Sequence, residues 1–145
     1  IAEVEIDPET VKVELVNLVI VGDVGTVINP LLLEGQIHGG ITQGVGQAIL
    51  ENIVYEGKSG QLLSASFQDY TMPRADDLPL YDVSSHPVPT TTNPLGVKGA
   101  GETGTVGAPA AVLNAIVNAL SSVGVKDIEM PATSEKVWKA LQNAA

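Results

Sequence analysis

Glu102 stands in the middle of a glycine loop, KGAGETG from Lys98 to Gly104, in which Gly99, Gly101 and Gly104 form the spacing G-x-G-x-x-G. Two chemistries compete for that string. As a dinucleotide fingerprint it would bring backbone N–H groups and a helix N-terminus to a pyrophosphate. As a presenting loop it would let the backbone approach a large ligand while Glu102 projects toward it as a general base. The first reading expects an apolar strand directly before the loop, but TTTNPLGVK precedes it, broken by Pro94 and Gly96. A following helix and the acidic residues Asp127 and Glu129 suit that reading. A carboxylate inside the loop would nevertheless repel the anion at close range. The residues alone leave two roles for Glu102 open: a base aimed at a ligand, or a glutamate that starts or caps the next helix.

A second candidate is Gln36, on a face with Gly40, Gln43, Gly44 and Gln47. An uncharged amide donates and accepts toward phosphate or pterin atoms without burying a full charge. Around it, Gly35, Gly39, Gly40, Gly44 and Gly46 fall in one helical pattern, at a cost of roughly 2–5 kcal/mol in propensity. Close approach by another helix or by a ligand is the expected reason, and helix packing is the simpler of the two. His38 and His86 lie far apart with no carboxylate at ligand spacing, so neither is given a role and no metal ligand is assigned. Trp138 reads as a core or interface anchor.

These residues need elements to hold them. AEVEI and VKVELVNLVIVG flank the turn signal Asp7-Pro8, which predicts a hairpin. Its second strand is almost continuously apolar from Leu15 to Val21, as in a strand buried on both faces. Asn29-Pro30 opens a helix in which Leu33, Ile37, Ile41, Val45 and Ile49 form a stripe. From Ile53 to Thr92 turn formers dominate, with QLLSASF as a short strand between them. GTVGAPAAVLNAIVNALSSVG predicts a mostly buried helix with Pro109 in its first turn and Gly124 past its end. VKDIEM reads as a strand, and ATSEKVWKALQNA as a closing amphipathic helix capped by Thr133 or Ser134. The expected fold is α+β: an N-terminal β-hairpin and short mixed strands packed with two to three helices.

Composition narrows the function classes. The chain has 145 residues, enough for a real core, with 44% hydrophobic and 17% charged residues. A net charge of −10, from 17 acidic against 7 basic residues, disfavours nucleic acid as a partner. The absence of cysteine removes disulfides and iron–sulfur ligation from these residues. Uninterrupted apolar runs are shorter than the ~20 residues of a membrane span. No signal peptide is visible, so the cytoplasm is the expected location.

INPLLLEGQIHGGITQGVGQAILEN, SFQDYTMPRADDLP, TNPLGVKGAGETG and VWKAL occur in this order and at this spacing. Together they resemble the C-terminal end of the large, molybdopterin-binding subunit of the molybdenum hydroxylases: the xanthine dehydrogenase, aldehyde oxidoreductase and aerobic carbon monoxide dehydrogenase family. The resemblance covers essentially all of residues 1–145, but only the last part of that subunit, so most of the cofactor pocket is expected elsewhere. It implies that Glu102 is the catalytic base beside the molybdenum, deprotonating a metal-bound hydroxyl that attacks an electron-poor carbon. It implies that Gln36 contacts the molybdopterin, that Gly99 and Gly101 lie at the cofactor, and that Ala100 faces the substrate side.

The implied cofactor is molybdopterin, in its simple or dinucleotide form. The implied partners are the rest of the large subunit, an iron–sulfur subunit and a flavin subunit carrying FAD. The implied reaction is hydroxylation of an aldehyde or an aromatic N-heterocycle. A non-catalytic fragment serving assembly or cofactor handling is the alternative. Carbon monoxide is less favoured, because the loop that the resemblance implies for a copper-binding cysteine lies outside these residues. One departure is minor: DPETV has Val11 where the family often has glycine after the threonine, which bears only on the turn geometry.

Overall fold

The computed structural model describes residues 1–144. Strands β1 (Ala2–Ile6), β2 (Val13–Gly22) and β3 (Asp82–Ser85) combine with helices α1 (Pro30–Ile49), α2 (Thr103–Leu120) and α3 (Ser134–Ala144) in an α+β arrangement. The sheet order is β1-β2-β3, with β1 antiparallel and β3 parallel to β2.

The hairpin turns where Asp7 predicts it. Its carboxylate accepts the N–H groups of Glu9 and Thr10 at 2.7 and 2.8 Å, an Asx-type closure. Val11 completes the turn at φ 53°, a left-handed backbone in which a β-branched residue is strained. The position at which this sequence departs from the resembling family is therefore the one that needs glycine. Val11→Gly is expected to stabilise the chain by about 1 kcal/mol, the relief of strain exceeding glycine's added unfolded-state freedom. A melting temperature equal to or below that of the parent would contradict this.

β2 is not buried on both faces. Leu15 and Leu18 are 3% and 1% exposed, but Val16 and Val21 are 39% and 66% exposed. Its second face therefore carries partly exposed apolar residues.

α1 begins as its sequence dictates, with the Asn29 side chain accepting from Leu32 N–H at 3.2 Å and Pro30 in the first turn. Ile37, Ile41 and Val45 form the buried stripe. The helical glycines divide into three kinds, of which Gly46 packs against Pro73, 2.7 Å from where its Cβ would stand. Gly40 and Gly44 face α2, where a Cβ on Gly44 would stand 2.8 Å from Ala108 Cβ. From the other side, a Cβ on Gly104 would stand 2.3 Å from the Ile37 carbonyl oxygen. Gly35 and Gly39 face open space instead. Helix packing thus accounts for part of the glycine content, and the Thr105 hydroxyl adds a bond to the Gly40 carbonyl at 3.0 Å across the seam.

α2 departs from expectation in two ways. It begins at Thr103, so Pro109 lies inside the helix and not in its first turn. Only one stripe, Gly104, Ala108, Val112, Ile116 and Leu120, is buried, and Val106 is 76% exposed. By length and composition Thr103–Val123 could cross a membrane, which run lengths alone had not indicated. Its buried stripe packs against α1 and the hairpin.

Gly124 ends the region in a left-handed conformation, and Thr133 rather than Ser134 caps α3. VKDIEM forms no strand, and QLLSASF contributes only the isolated bridge between Tyr55 and Leu62. Trp138 is half exposed and outside the core, whereas its neighbour Val137 is fully buried.

Candidate active site

The glycine loop reaches α2 along a pinned approach. Asn93 brackets Val97, donating to its carbonyl at 2.9 Å and accepting its N–H at 3.2 Å. Gly96, at φ 67°, turns the chain where any Cβ would meet Pro89 and Thr26. Gly25 then pairs with Val97, and the Lys98 N–H donates to the Val24 carbonyl at 2.9 Å.

Beyond Lys98 the close packing around the glycines stops. A Cβ on Gly99 or Gly101 would meet nothing within 4 Å, and neither residue has a positive φ. Neither packing nor backbone conformation within this chain explains these two glycines. They leave a bare stretch of main chain of the kind a large ligand can approach closely. Among the described residues, the N–H groups of Gly99, Ala100, Gly101 and Glu102 find no acceptor in the chain. They are free to donate outward.

The structure brings Gln36 to this loop. Its Nε2 donates to the Gly101 carbonyl at 3.0 Å, linking α1 to the loop across 65 residues of sequence. The amide oxygen of the same side chain stays available as an acceptor. Ala100 lines a shallow apolar hollow with Gln36, Val97 and Leu32, while Glu102 lines the adjoining concavity with Gly99, Gly101 and Val106. All five candidate residues, Gln36, Gly99, Ala100, Gly101 and Glu102, therefore belong to one surface.

Glu102 occupies the N-cap position of α2 but does not cap it: its side chain accepts no helix N–H. Among the described residues its carboxylate has no hydrogen-bond or ion-pair partner, and the residue is exposed. That removes side-chain capping as the reason for this carboxylate, while Glu102 does start α2, its carbonyl accepting the Val106 N–H. His38 sits elsewhere, its ring edge-on to Tyr81 at 5.6 Å, and His86 is exposed. Among the described residues no group of three or more His, Asp or Glu comes within metal-binding reach.

Sequence reasoning missed Asp23. Its carboxylate forms an ion pair with Lys98 at 2.5 Å and also accepts the N–H groups of Gly25 and Val88. These donors, led by Lys98, hold its pKa down at about 2, so it is ionised across the neutral range. The partners are 75 positions apart, and no local spacing signals such a contact.

The residue pattern of the molybdopterin cofactor-binding domain family matches residues 1–79, a span that includes Gln36. The nicotine 6-hydroxylase large subunit of Paenarthrobacter nicotinovorans is 44% identical over 137 residues, covering 94% of this chain and 17% of that protein. The carbon monoxide dehydrogenase large chain of Hydrogenophaga pseudoflava is 36% identical, covering 96% and 17%. Among solved structures, quinoline 2-oxidoreductase from Pseudomonas putida 86 superposes with a TM-score of 0.90 at 38% identity, over 96% of this chain and 18% of that one. The chain thus spans less than a fifth of the length of these relatives.

Proposed function

Because this chain belongs to the molybdopterin cofactor-binding domain family of the molybdenum hydroxylase large subunits, we propose that it supplies the catalytic base and one cofactor contact of such an enzyme. Residues 1–145 form the C-terminal part of its cofactor-binding domain and leave the pocket incomplete. The rest of the large subunit, an iron–sulfur subunit and a flavin subunit with FAD complete the electron path, in the cytoplasm. The substrate is an aromatic N-heterocycle or an aldehyde. The first class has more support, because relatives at 44% and 38% identity are named for nicotine and quinoline.

The observation that carries this reading is the bond from Gln36 to Gly101. It makes the amide and the loop bearing Glu102 a single surface, with unpaired N–H groups and bare glycines beside an uncommitted carboxylate. This donor set fits a polar, oxygen-rich pterin cofactor: an amide acceptor, backbone donors and room for close approach. When bound, the molybdenum cofactor supplies the two-electron oxidation and the site at which water-derived oxygen is delivered. The chain's own part is to orient and to move a proton. Gln36 fixes Gly101, the loop directs Glu102 toward the reacting groups, and a Glu102 carboxylate oxygen takes the proton lost as the carbon–oxygen bond forms.

Gln36→Ala tests the cofactor contact. Losing a hydrogen bond to a charged or strongly polar group costs ~1.5–3 kcal/mol, so molybdenum content of the purified assembled enzyme is expected to fall. Sites that stay loaded should also turn over more slowly, since the Gly101 carbonyl loses its donor. Full molybdenum content in this variant would remove Gln36 from cofactor binding.

A further inference from the structure

We propose that Asp23 is a positioning residue for Glu102, acting through Lys98 at the root of the glycine loop; the proposal rests on the reading of Glu102 as the base. The Asp23 carboxylate gathers donors from three stretches of chain. These are the Gly25 N–H at 2.9 Å, the Val88 N–H at 3.0 Å and the Lys98 ammonium at 2.5 Å. The turn that carries Asp23 is itself fixed. Gly25 has φ 66°, and a Cβ there would stand 2.2 Å from the Gly96 carbonyl oxygen.

Lys98 is therefore held twice, by its main chain to Val24 and by its side chain to Asp23. Immediately after it come Gly99 and Gly101, where an added Cβ would meet nothing within 4 Å. Glycine residues leave a backbone many conformations unless its ends are fixed. Here the fixed points are Lys98 before the bare stretch, Gln36 beneath Gly101, and Gly104 wedged against α1 after it. Removing the first leaves Glu102 tied to α1 alone, through Gly101 and Gly104.

Energetics place the pair's effect in geometry and not in global stability. Both side chains are about a third exposed, at 36% and 35%, and ion pairs so exposed contribute little to folding. A reacting group, in contrast, is sensitive to small displacements. The pair's position four residues from Glu102 thus matters more than its strength.

The test uses the assembled holoenzyme, assayed with nicotine, quinoline and benzaldehyde and followed on whichever the parent enzyme oxidises fastest. Lys98→Met and Asp23→Asn are expected to lower kcat per molybdenum-loaded site by ~10- to 10²-fold with KM unchanged, the scale of a misplacement of about 1 Å. Lys98→Arg, which keeps the charge, should recover most of the loss. In the 145-residue chain, hydrogen exchange should show loss of protection at the residue-98 amide in Lys98→Met. A pair serving only stability would lower the melting temperature or the loading and leave turnover per loaded site intact.

Asp23→Asn keeps an acceptor for Gly25 and Val88, and Lys98→Met leaves those two bonds untouched, so failure of one variant to fold leaves the other decisive. Unchanged turnover per loaded site in these variants, beside a collapsed Glu102→Gln, overturns the positioning role alone. Unchanged turnover in Glu102→Gln overturns the base, and the positioning role with it.

Discussion

Glu102→Gln is expected to lower kcat of the assembled enzyme by at least ~10²-fold, and by up to ~10⁴-fold, the range over which a positioned general base contributes. The substitution is close to isosteric and keeps one acceptor, but a neutral amide does not take up the proton. Cofactor loading should hold, because the bond that ties Gln36 to the loop runs to the Gly101 carbonyl and not to the Glu102 side chain. The melting temperature should also hold. Losing a helix cap costs typically ~1 kcal/mol, but Glu102 makes no cap hydrogen bond. Turnover, molybdenum content and melting temperature measured on one preparation separate the roles. Near-parental turnover at full loading would refute the proposed function.

Gly104→Ala should be a strongly damaging single-methyl change. Its Cβ would stand 2.3 Å from the Ile37 carbonyl oxygen, 2.7 Å from the Ile41 nitrogen and 3.1 Å from the Gly40 carbonyl carbon. All three are main-chain atoms, so no rotamer change relieves the contact, and the helices must move apart. Overpacking of this kind costs typically ~1–3 kcal/mol, which in a domain of this size lowers the melting temperature by ~3–10 °C. Glu102 lies two positions upstream and moves with the start of α2, so turnover should fall by ~10²-fold as well. Gly39→Ala is the matched control. It lies on the partner helix with open space around it and should stabilise by ~0.5–1 kcal/mol. A Gly104 variant as stable as that control would show that the seam is not close-packed.

The sequence made legible those features that are encoded locally. The Asn29-Pro30 start of α1, the Asp7 turn and the buried stripe each follow from residues within a few positions of one another. The Val11 anomaly came from the resemblance instead, as a departure at the position whose backbone is left-handed. β3 escaped because Asp82–Ser85 carries one apolar residue and acquires its conformation by pairing with the distant β2. The start of α2 was misplaced because Pro109 resembled a first-turn signal, whereas the helix begins where Gly104 meets α1.

At the site, Gln36 and Glu102 could be singled out by type and by resemblance. Their convergence could not be read, nor could the place of Asp23, because each depends on which surfaces α1 and the loop turn toward each other.

The contacts that hold the loop share one property, their span. Gln36 to Gly101 and Thr105 to Gly40 each bridge 65 positions, and Asp23 to Lys98 bridges 75. Contacts of this kind form only after the entropy of closing long loops has been met. The hairpin and the individual helices can arise from near neighbours, so the loop bearing Glu102 should be among the last parts of the chain to order during folding. Its geometry would then report completed folding: a chain with native-like secondary structure but undocked helices would retain its carboxylate and have no place to direct it.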